Sequence, residues 1–192
     1  MSIKIPDSYL KRIEGSYERW LEKSKDKPEV KDEVKQASNI ENPKEYLILE
    51  GKVYGNYSYP DLIVSINKYH HNNNWNQAHE LLSKEDSFML VIRQYIDFLN
   101  LLRSGKANYA NGNKADKKIL DNILDNILTI KAPWRAEWLD AKFGNNTITY
   151  HKFNNGKLEE VTELLEDCLM EDKTPGISLD SWLSTKNKQG LP

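Results

Sequence analysis

The first apolar residues of the chain recur at helical spacing. Asp7 can cap this helix, whose apolar positions are Leu10, Ile13, Tyr17, Trp20 and Leu21. Residues 23–42 are highly charged and nearly free of large apolar side chains, which is typical of a linker or a solvated helix. The pattern predicts an N-terminal helix with a charged linker in residues 1–42 and a core domain in residues 43–192.

Short runs rich in β-branched and aromatic residues open the core domain. The runs at residues 46–49 and 57–66 are separated by glycine and proline, which predicts strands. Further along, residues 138–143 and 147–153 flank a Gly-Asn-Asn sequence. Two apolar runs on either side of such a turn predict a β-hairpin.

Helical spacing returns between these strands. Asn74, with Gln77 three residues later, predicts a capping box at the start of a short helix. A second amphipathic helix ends at Gly105, which suits the left-handed conformation of a helix C-terminus. Residues 116–130 have the widest apolar face, and Pro133 ends that pattern.

Two further helices are predicted near the C-terminus. The first has its apolar residues at helical spacing: Leu158, Val161, Leu165, Cys168 and Leu169. Ser178 can cap the second, which is a short turn. Together the elements predict an α+β fold, with a small mixed or antiparallel sheet packed against three to four helices.

Composition narrows the class of protein. The 27 basic and 29 acidic residues give a net charge of −2, so nucleic acid is an unlikely partner. Cys168 is the single cysteine, which excludes an internal disulfide and fits a reducing compartment. The N-terminus lacks the apolar run of a secretory signal, and no window reaches the ~18 apolar residues of a membrane span. We therefore expect a cytoplasmic protein.

The densest group of interaction-prone side chains follows the third predicted helix of the core. It consists of Trp134, Arg135, Glu137, Trp138 and Asp140. Trp and Arg contribute disproportionately to binding at interfaces. The same residues can instead close a core, with the arginine paired to a carboxylate and stacked on an indole. Both interpretations remain open, and the cluster is the predicted binding site.

Catalytic and metal motifs are sparse. His79-Glu80 resembles the start of a zinc protease helix, but Ser83 occupies the position of the second histidine. His70 and His71 could join His79 on a metal, although adjacent histidines in a polar loop are more often surface residues. No phosphate-binding glycine loop or nucleophile elbow occurs, and we predict no cofactor and no resident metal.

One enzymatic alternative is a metal-dependent nuclease or hydrolase. Asp61, Asp140 and Lys142 resemble the acidic pair and lysine that hold Mg²⁺ and orient water in a large class of nucleases. About eighty residues separate Asp61 from the other two positions, and short strings of this kind arise by chance in a chain with 29% charged residues.

Two sets of residues carry a family resemblance. The order Trp75-x-x-Ala78, Met89-x-x-Ile92 and a following amphipathic helix is similar to the helical half of C-type-lectin-like domains of the formylglycine-generating-enzyme type. The blocks at residues 134–140, 165–170 and 188–192 resemble uncharacterised proteins of small-genome archaea, candidate bacteria and their mobile elements.

The resemblance implies a binding role. Such relatives continue into strands like the variable ligand-binding face of diversity-generating retroelement targets, and we expect those strands to be missing beyond Pro192. It implies a truncated C-type-lectin-like fold without evident calcium or catalytic cysteine motifs. The predicted function is a non-enzymatic binding or interaction module associated with a mobile element or small-genome host. Its expected partner is another protein.

Overall fold

The computed structural model describes residues 40–130, 137–154, 157–165 and 178–191. The chain divides between Asn39 and Ile40, and every described residue belongs to the second unit. The predicted N-terminal helix and all of the predicted linker except residues 40–42 therefore lie outside the described residues. Helices and antiparallel strands alternate irregularly along the described chain, which confirms the α+β class.

The first four strands form one long hairpin with a break in its middle. They are β1 (Tyr46–Leu49), β2 (Lys52–Tyr54), β3 (Tyr57–Tyr59) and β4 (Leu62–Ser65). β1 pairs with β4 and β2 with β3, in the same antiparallel register on both sides of the break. Pro60 stands at the break and has no N–H to donate to a ladder. On the opposite side Gly51 donates its N–H to Asp61 Oδ1 at 2.7 Å.

Two helices follow with the ends that the sequence predicts. α1 (Trp75–Lys84) begins with a capping box between Asn74 and Gln77. α2 (Ile92–Ser104) ends at Gly105 with φ 66°, in the left-handed conformation. Most of α2 is buried, because two later helices and β1 pack around it. It is the central helix of the fold.

Two amphipathic helices pack against α2. α3 (Lys117–Leu128) is capped by Asp116, whose side chain accepts from the N–H of Lys118. α4 (Leu179–Ser184) is capped by Ser178, as predicted. Both bury one apolar face in the common core, which includes Ile96, Leu99, Leu102, Leu120 and Leu183.

The remaining strands form a three-stranded antiparallel sheet. Its strands are β5 (Lys142–Gly144), β6 (Thr147–Asn154) and β7 (Lys157–Leu164), in that order. The hairpin of β5 and β6 confirms the predicted turn, although β5 begins at residue 142 rather than 138. The helix predicted from Leu158, Val161 and Leu165 is wrong over its first turns, because Lys157–Leu164 pairs with β6 along its whole length as β7. Cys168 and Leu169 of the same prediction lie outside the described residues. The described strands thus form three small sheets rather than one.

A buried ion pair lies inside the fold. Arg93 and Asp97, one turn apart on α2, are each 2% exposed, and their side chains are 3.1 Å apart. The Asp97 carboxylate also accepts from Tyr59 Oη at 2.6 Å, Tyr54 Oη at 2.8 Å and Lys52 Nζ at 3.1 Å. Burial, together with the Asp97 hydrogen bond, raises the pKa of Tyr54 to about 12, so its phenol remains a donor at neutral pH. The network ties the β2–β3 hairpin to α2.

The C-terminal residues close over the start of α2. Arg93 donates to the carbonyl of Thr185 at 2.8 Å, and Trp182 Nε1 donates to the carbonyl of Gly190 at 2.9 Å. Gly190 has φ 77°, and a Cβ there would lie only 2.6 Å from the backbone nitrogen of Arg93. Both its dihedral angle and this close approach therefore require glycine.

Candidate functional site

Two histidines and an aspartate meet where α1 and β6 approach the segment before β5. His79 lies on α1, His151 on β6, and Asp140 in that segment. One ligand atom from each side chain can be chosen so that all three lie within 4.8 Å of one another. This set, hereafter the His–Asp–His cluster, is the only group of three or more potential metal ligands among the described residues.

Asp140 is the buried centre of the cluster. It is 2% exposed, and its N–H donates to the carbonyl of Leu90 at 2.9 Å. Its carboxylate accepts from the backbone N–H of His151 at 2.8 Å and lies 3.0 Å from the Nδ1 of the same histidine. These contacts fix the orientation of the carboxylate.

His79 approaches the same carboxylate without forming a hydrogen bond. Its Nε2 lies 3.3 Å from Asp140 Oδ1, but this buried nitrogen has no hydrogen-bond partner in the structure. Its ring packs edge-on against Trp75 at 4.1 Å and lies 4.9 Å from the ring of His151. Burial lowers the pKa of His79 and outweighs the opposing effect of Asp140, so the neutral imidazole is favoured.

A pair of indole hydrogen bonds positions the segment that carries Asp140. Trp75 Nε1 donates to the carbonyl of Leu139 at 2.9 Å, and Trp138 Nε1 donates to the carbonyl of Asn73 at 2.8 Å. The two bonds cross between the start of α1 and residues 138–139. The two indole hydrogen bonds hold Asp140 beside α1 and fix the orientation of Trp138, whose side chain remains 53% exposed.

Glu137 anchors the other end of the segment. Its carboxylate accepts from Tyr95 Oη at 3.1 Å and from the ammonium group of Lys68. Burial, reinforced by the charge of Glu137, raises the pKa of Tyr95, which therefore donates throughout the physiological range. The ion pair is one-third exposed on each side, so we assign it an orienting role rather than a large stabilising one.

An open groove of about 370 Å³ lies beside this segment. Its walls come from α2, α3 with the two residues that follow it, α4, Glu137 and Leu139. Most of the lining side chains are apolar or aromatic: Tyr95, Leu99, Ile127, Leu128, Ile130, Leu139, Leu179 and Trp182, with Glu137 and Thr129 beside them. We refer to it below as the α2–α3–α4 groove.

The predicted binding residues fall into three groups. Trp134 and Arg135 lie outside the described residues. Glu137 and Trp138 are on the surface, with the contacts described above. Asp140 does not contribute to that surface, because it is buried beneath the two imidazoles.

The residues of the predicted nuclease site have separate surroundings. Asp61 is exposed and accepts from Gly51 at the break in the first hairpin, whereas Asp140 is buried in the His–Asp–His cluster. Lys142 is exposed on β5. Among the described residues, Asp61 does not belong to the group of carboxylates and imidazoles that could share an ion.

The histidines that lie close together are not the ones that the sequence suggested as shared metal ligands. His70 Nε2 lies 3.1 Å from Glu85, and neither His70 nor His71 joins His79 in the cluster. His151, which no sequence motif indicated, takes that place. Its position after the Gly-Asn-Asn turn shows that it lies on the second strand of a hairpin, but no local motif indicates that it faces α1.

Comparison of the chain with models of protein families, with curated proteins and with solved structures finds no match. None of the described helices, which lie within residues 40–130, 137–154, 157–165 and 178–191, combines the length and apolar character that crossing a bilayer requires. The described residues thus form an α+β protein with an apolar groove and, beside it, a His–Asp–His cluster around the buried Asp140.

Proposed function

We propose that this protein is a non-enzymatic binding module and that its partner is another protein. The observation that carries the proposal is the α2–α3–α4 groove. This groove of about 370 Å³ is open to the surface, where a partner can reach it. The mainly apolar lining suits aliphatic or aromatic side chains of a partner better than a charged ligand.

Exposed apolar side chains at the groove support this proposal. Ile130 is 94% exposed and Leu128 is 41% exposed, and both line the groove. Trp138 lies between two lining residues, and its indole is already held by Asn73. A fixed aromatic side chain loses little conformational freedom on binding, which favours it as an interface anchor.

The resemblance to C-type-lectin-like domains points in the same direction, since it implies ligand binding without catalysis. A mobile-element or small-genome origin and a cytoplasmic location are parts of the same proposal. The groove is built from α2, α3, α4 and the segment before β5, so the proposal rests on residues that the structure describes.

The test uses a phage-displayed library of random peptides, selected on the immobilised full-length chain. We expect enriched peptides with two or more large apolar residues. Each selected peptide is then titrated by fluorescence polarisation against the wild type, Ile130→Ser and Trp138→Ser. Burying an isoleucine contributes ~1.5–3 kcal/mol, and 1.4 kcal/mol is a tenfold change, so Ile130→Ser should weaken binding at least tenfold.

Val53→Ser is the matched control. Val53 is 75% exposed on β2 and does not line the groove, so the same loss of an exposed β-branched side chain should change affinity less than twofold. Circular dichroism should show all three variants folded, because all three side chains are more than half exposed. The proposal fails if no peptide is enriched or if Val53→Ser weakens binding as much as Ile130→Ser.

A further inference from the structure

We propose that the His–Asp–His cluster binds one divalent transition-metal ion of the Zn²⁺ type through His79, Asp140 and His151. The proposal concerns residues that the proposed binding function does not use. Two imidazoles and one carboxylate are a ligand set that suits zinc, with one coordination position left for water or another ligand.

The separations between ligand atoms fit a metal of this size. Ligands at ~2.0–2.1 Å from a tetrahedral ion lie ~3.3 Å from one another. Asp140 Oδ1 is 3.3 Å from His79 Nε2 and 3.1 Å from His151 Nδ1. The remaining separation, between the two imidazole nitrogens, is at most 4.8 Å, so these nitrogens must approach each other by at most ~1.5 Å to complete the set.

The unpartnered nitrogen of His79 is the second observation. A buried polar atom without a hydrogen bond costs free energy, and nearly all such atoms in folded proteins have a partner. His79 Nε2 lies 3.3 Å from Asp140 Oδ1, at ion-pair distance, but without the geometry of a well-directed hydrogen bond. A metal cation between the two groups would accept a lone pair from His79 Nε2 and one from the Asp140 carboxylate.

The surroundings of the cluster also suit an ion. Asp140 is held by the N–H of His151, as metal-ligating carboxylates usually are held by outer hydrogen bonds. The imidazole side chains are 22% and 23% exposed, which gives an ion and a water ligand access from the surface. Glu160 pairs with His151 across β6 and β7, so an additional negative charge lies next to the site.

The ligand set also predicts which ions do not bind. Ca²⁺ and Mg²⁺ prefer oxygen ligands in larger number, and this cluster offers only one carboxylate. We therefore expect Zn²⁺ and Co²⁺ to bind and Ca²⁺ and Mg²⁺ not to bind at the same concentration.

The test is isothermal titration of the metal-stripped full-length chain with ZnCl₂ at pH 7.5. We expect one equivalent to bind with a Kd below ~10 µM, and Co²⁺ to give the visible absorption of a four- or five-coordinate ion. His79→Gln, His151→Gln and Asp140→Asn should each weaken binding at least 30-fold and abolish the Co²⁺ absorption. Glu160→Gln should weaken it only a few-fold.

The four histidines of the chain supply the control. The double variant His70→Gln/His71→Gln removes the other two and should bind Zn²⁺ within twofold of the wild type. Zn²⁺ should also raise the Tm of the wild type and of this control, but not that of His79→Gln. Absence of wild-type binding at 100 µM Zn²⁺ would overturn the proposal, as would binding that is lost in the control and kept in folded His79→Gln.

Discussion

Substitution of Asp97 tests the buried network at the centre of the fold. The Asp97 carboxylate is 2% exposed and accepts hydrogen bonds from Arg93, Lys52, Tyr54 and Tyr59. Asp97→Ala removes the negative charge and leaves the Arg93 guanidinium, also 2% exposed, without its anionic partner. Because a buried unpaired charge is strongly unfavourable, we expect a large loss of stability.

The magnitude follows from the contacts. Breaking a buried ion pair by removing one partner costs ~3–5 kcal/mol, while the Lys52 contact adds little because that side chain is 43% exposed. Domains have free energies of unfolding of ~5–15 kcal/mol, so Asp97→Ala should remove a large part of the stability of this protein. With a urea slope of ~2 kcal/mol per M, the midpoint of unfolding should fall by ~1.5–2.5 M.

Urea denaturation followed by circular dichroism measures this shift. Asp121→Ala is the matched control, since Asp121 pairs with Lys117 on the exposed side of α3 and should cost less than ~0.5 kcal/mol. Adding Arg93→Met to Asp97→Ala should cost at least ~1 kcal/mol less than the sum of the two single changes, because no buried charge then remains unpaired. A cost below ~1 kcal/mol for Asp97→Ala would refute the reasoning.

Two further predictions concern the C-terminal residues and the third sheet. Gly190→Ala should destabilise the protein by ~2–4 kcal/mol in thermal or urea unfolding, because its Cβ would contact the Arg93 backbone at 2.6 Å. Gly112→Ala has a similar φ of 80° but no atom within 4 Å, so it should cost only ~1 kcal/mol, and equal costs would contradict the steric argument. Burial alone would raise the pKa of Glu163. Hydrogen bonds and charge attraction from Lys152 and Lys188 outweigh burial and lower the pKa of Glu163 to about 2. The stabilisation by Glu163 is therefore present above the ordinary glutamate pKa of ~4.3 and is lost as the pH falls toward 2. The difference in unfolding free energy between the wild type and Glu163→Gln should accordingly shrink between pH 7 and pH 3. A difference that stays constant over this range would contradict the prediction.

Helix termini could be predicted from the sequence because their causes are local. The capping box of Asn74 and Gln77 involves residues only three positions apart, and both of its hydrogen bonds form in the structure. Gly105 likewise ends α2 through its own dihedral angles. Such signals act within one turn, so they do not depend on how the rest of the chain folds.

β7 shows where local spacing misleads. Leu158, Val161 and Leu165 fit a helical period, but β6 pairs with this stretch through eight consecutive residue pairs. The Asn155-Gly156 dipeptide in the sequence just before this stretch is a strong hairpin signal and favours a strand over a helix here. The Thr149 and Thr162 hydroxyls, 2.8 Å apart across the strands, are one of the cross-strand contacts that outweigh weak helical propensity.

The His–Asp–His cluster could not be predicted in this way, because its formation depends on strand register. Side chains alternate along β6, so Tyr150 enters the core with 3% exposure while His151 turns toward Asp140. A shift of one residue in the pairing would exchange the two side chains and bury the histidine. Burial of Tyr150 and Ile148 in the core therefore fixes the register, and the register in turn brings His151 to Asp140 and His79. The candidate metal site is thus positioned by apolar packing on the other face of the strand, which no motif around the histidines encodes.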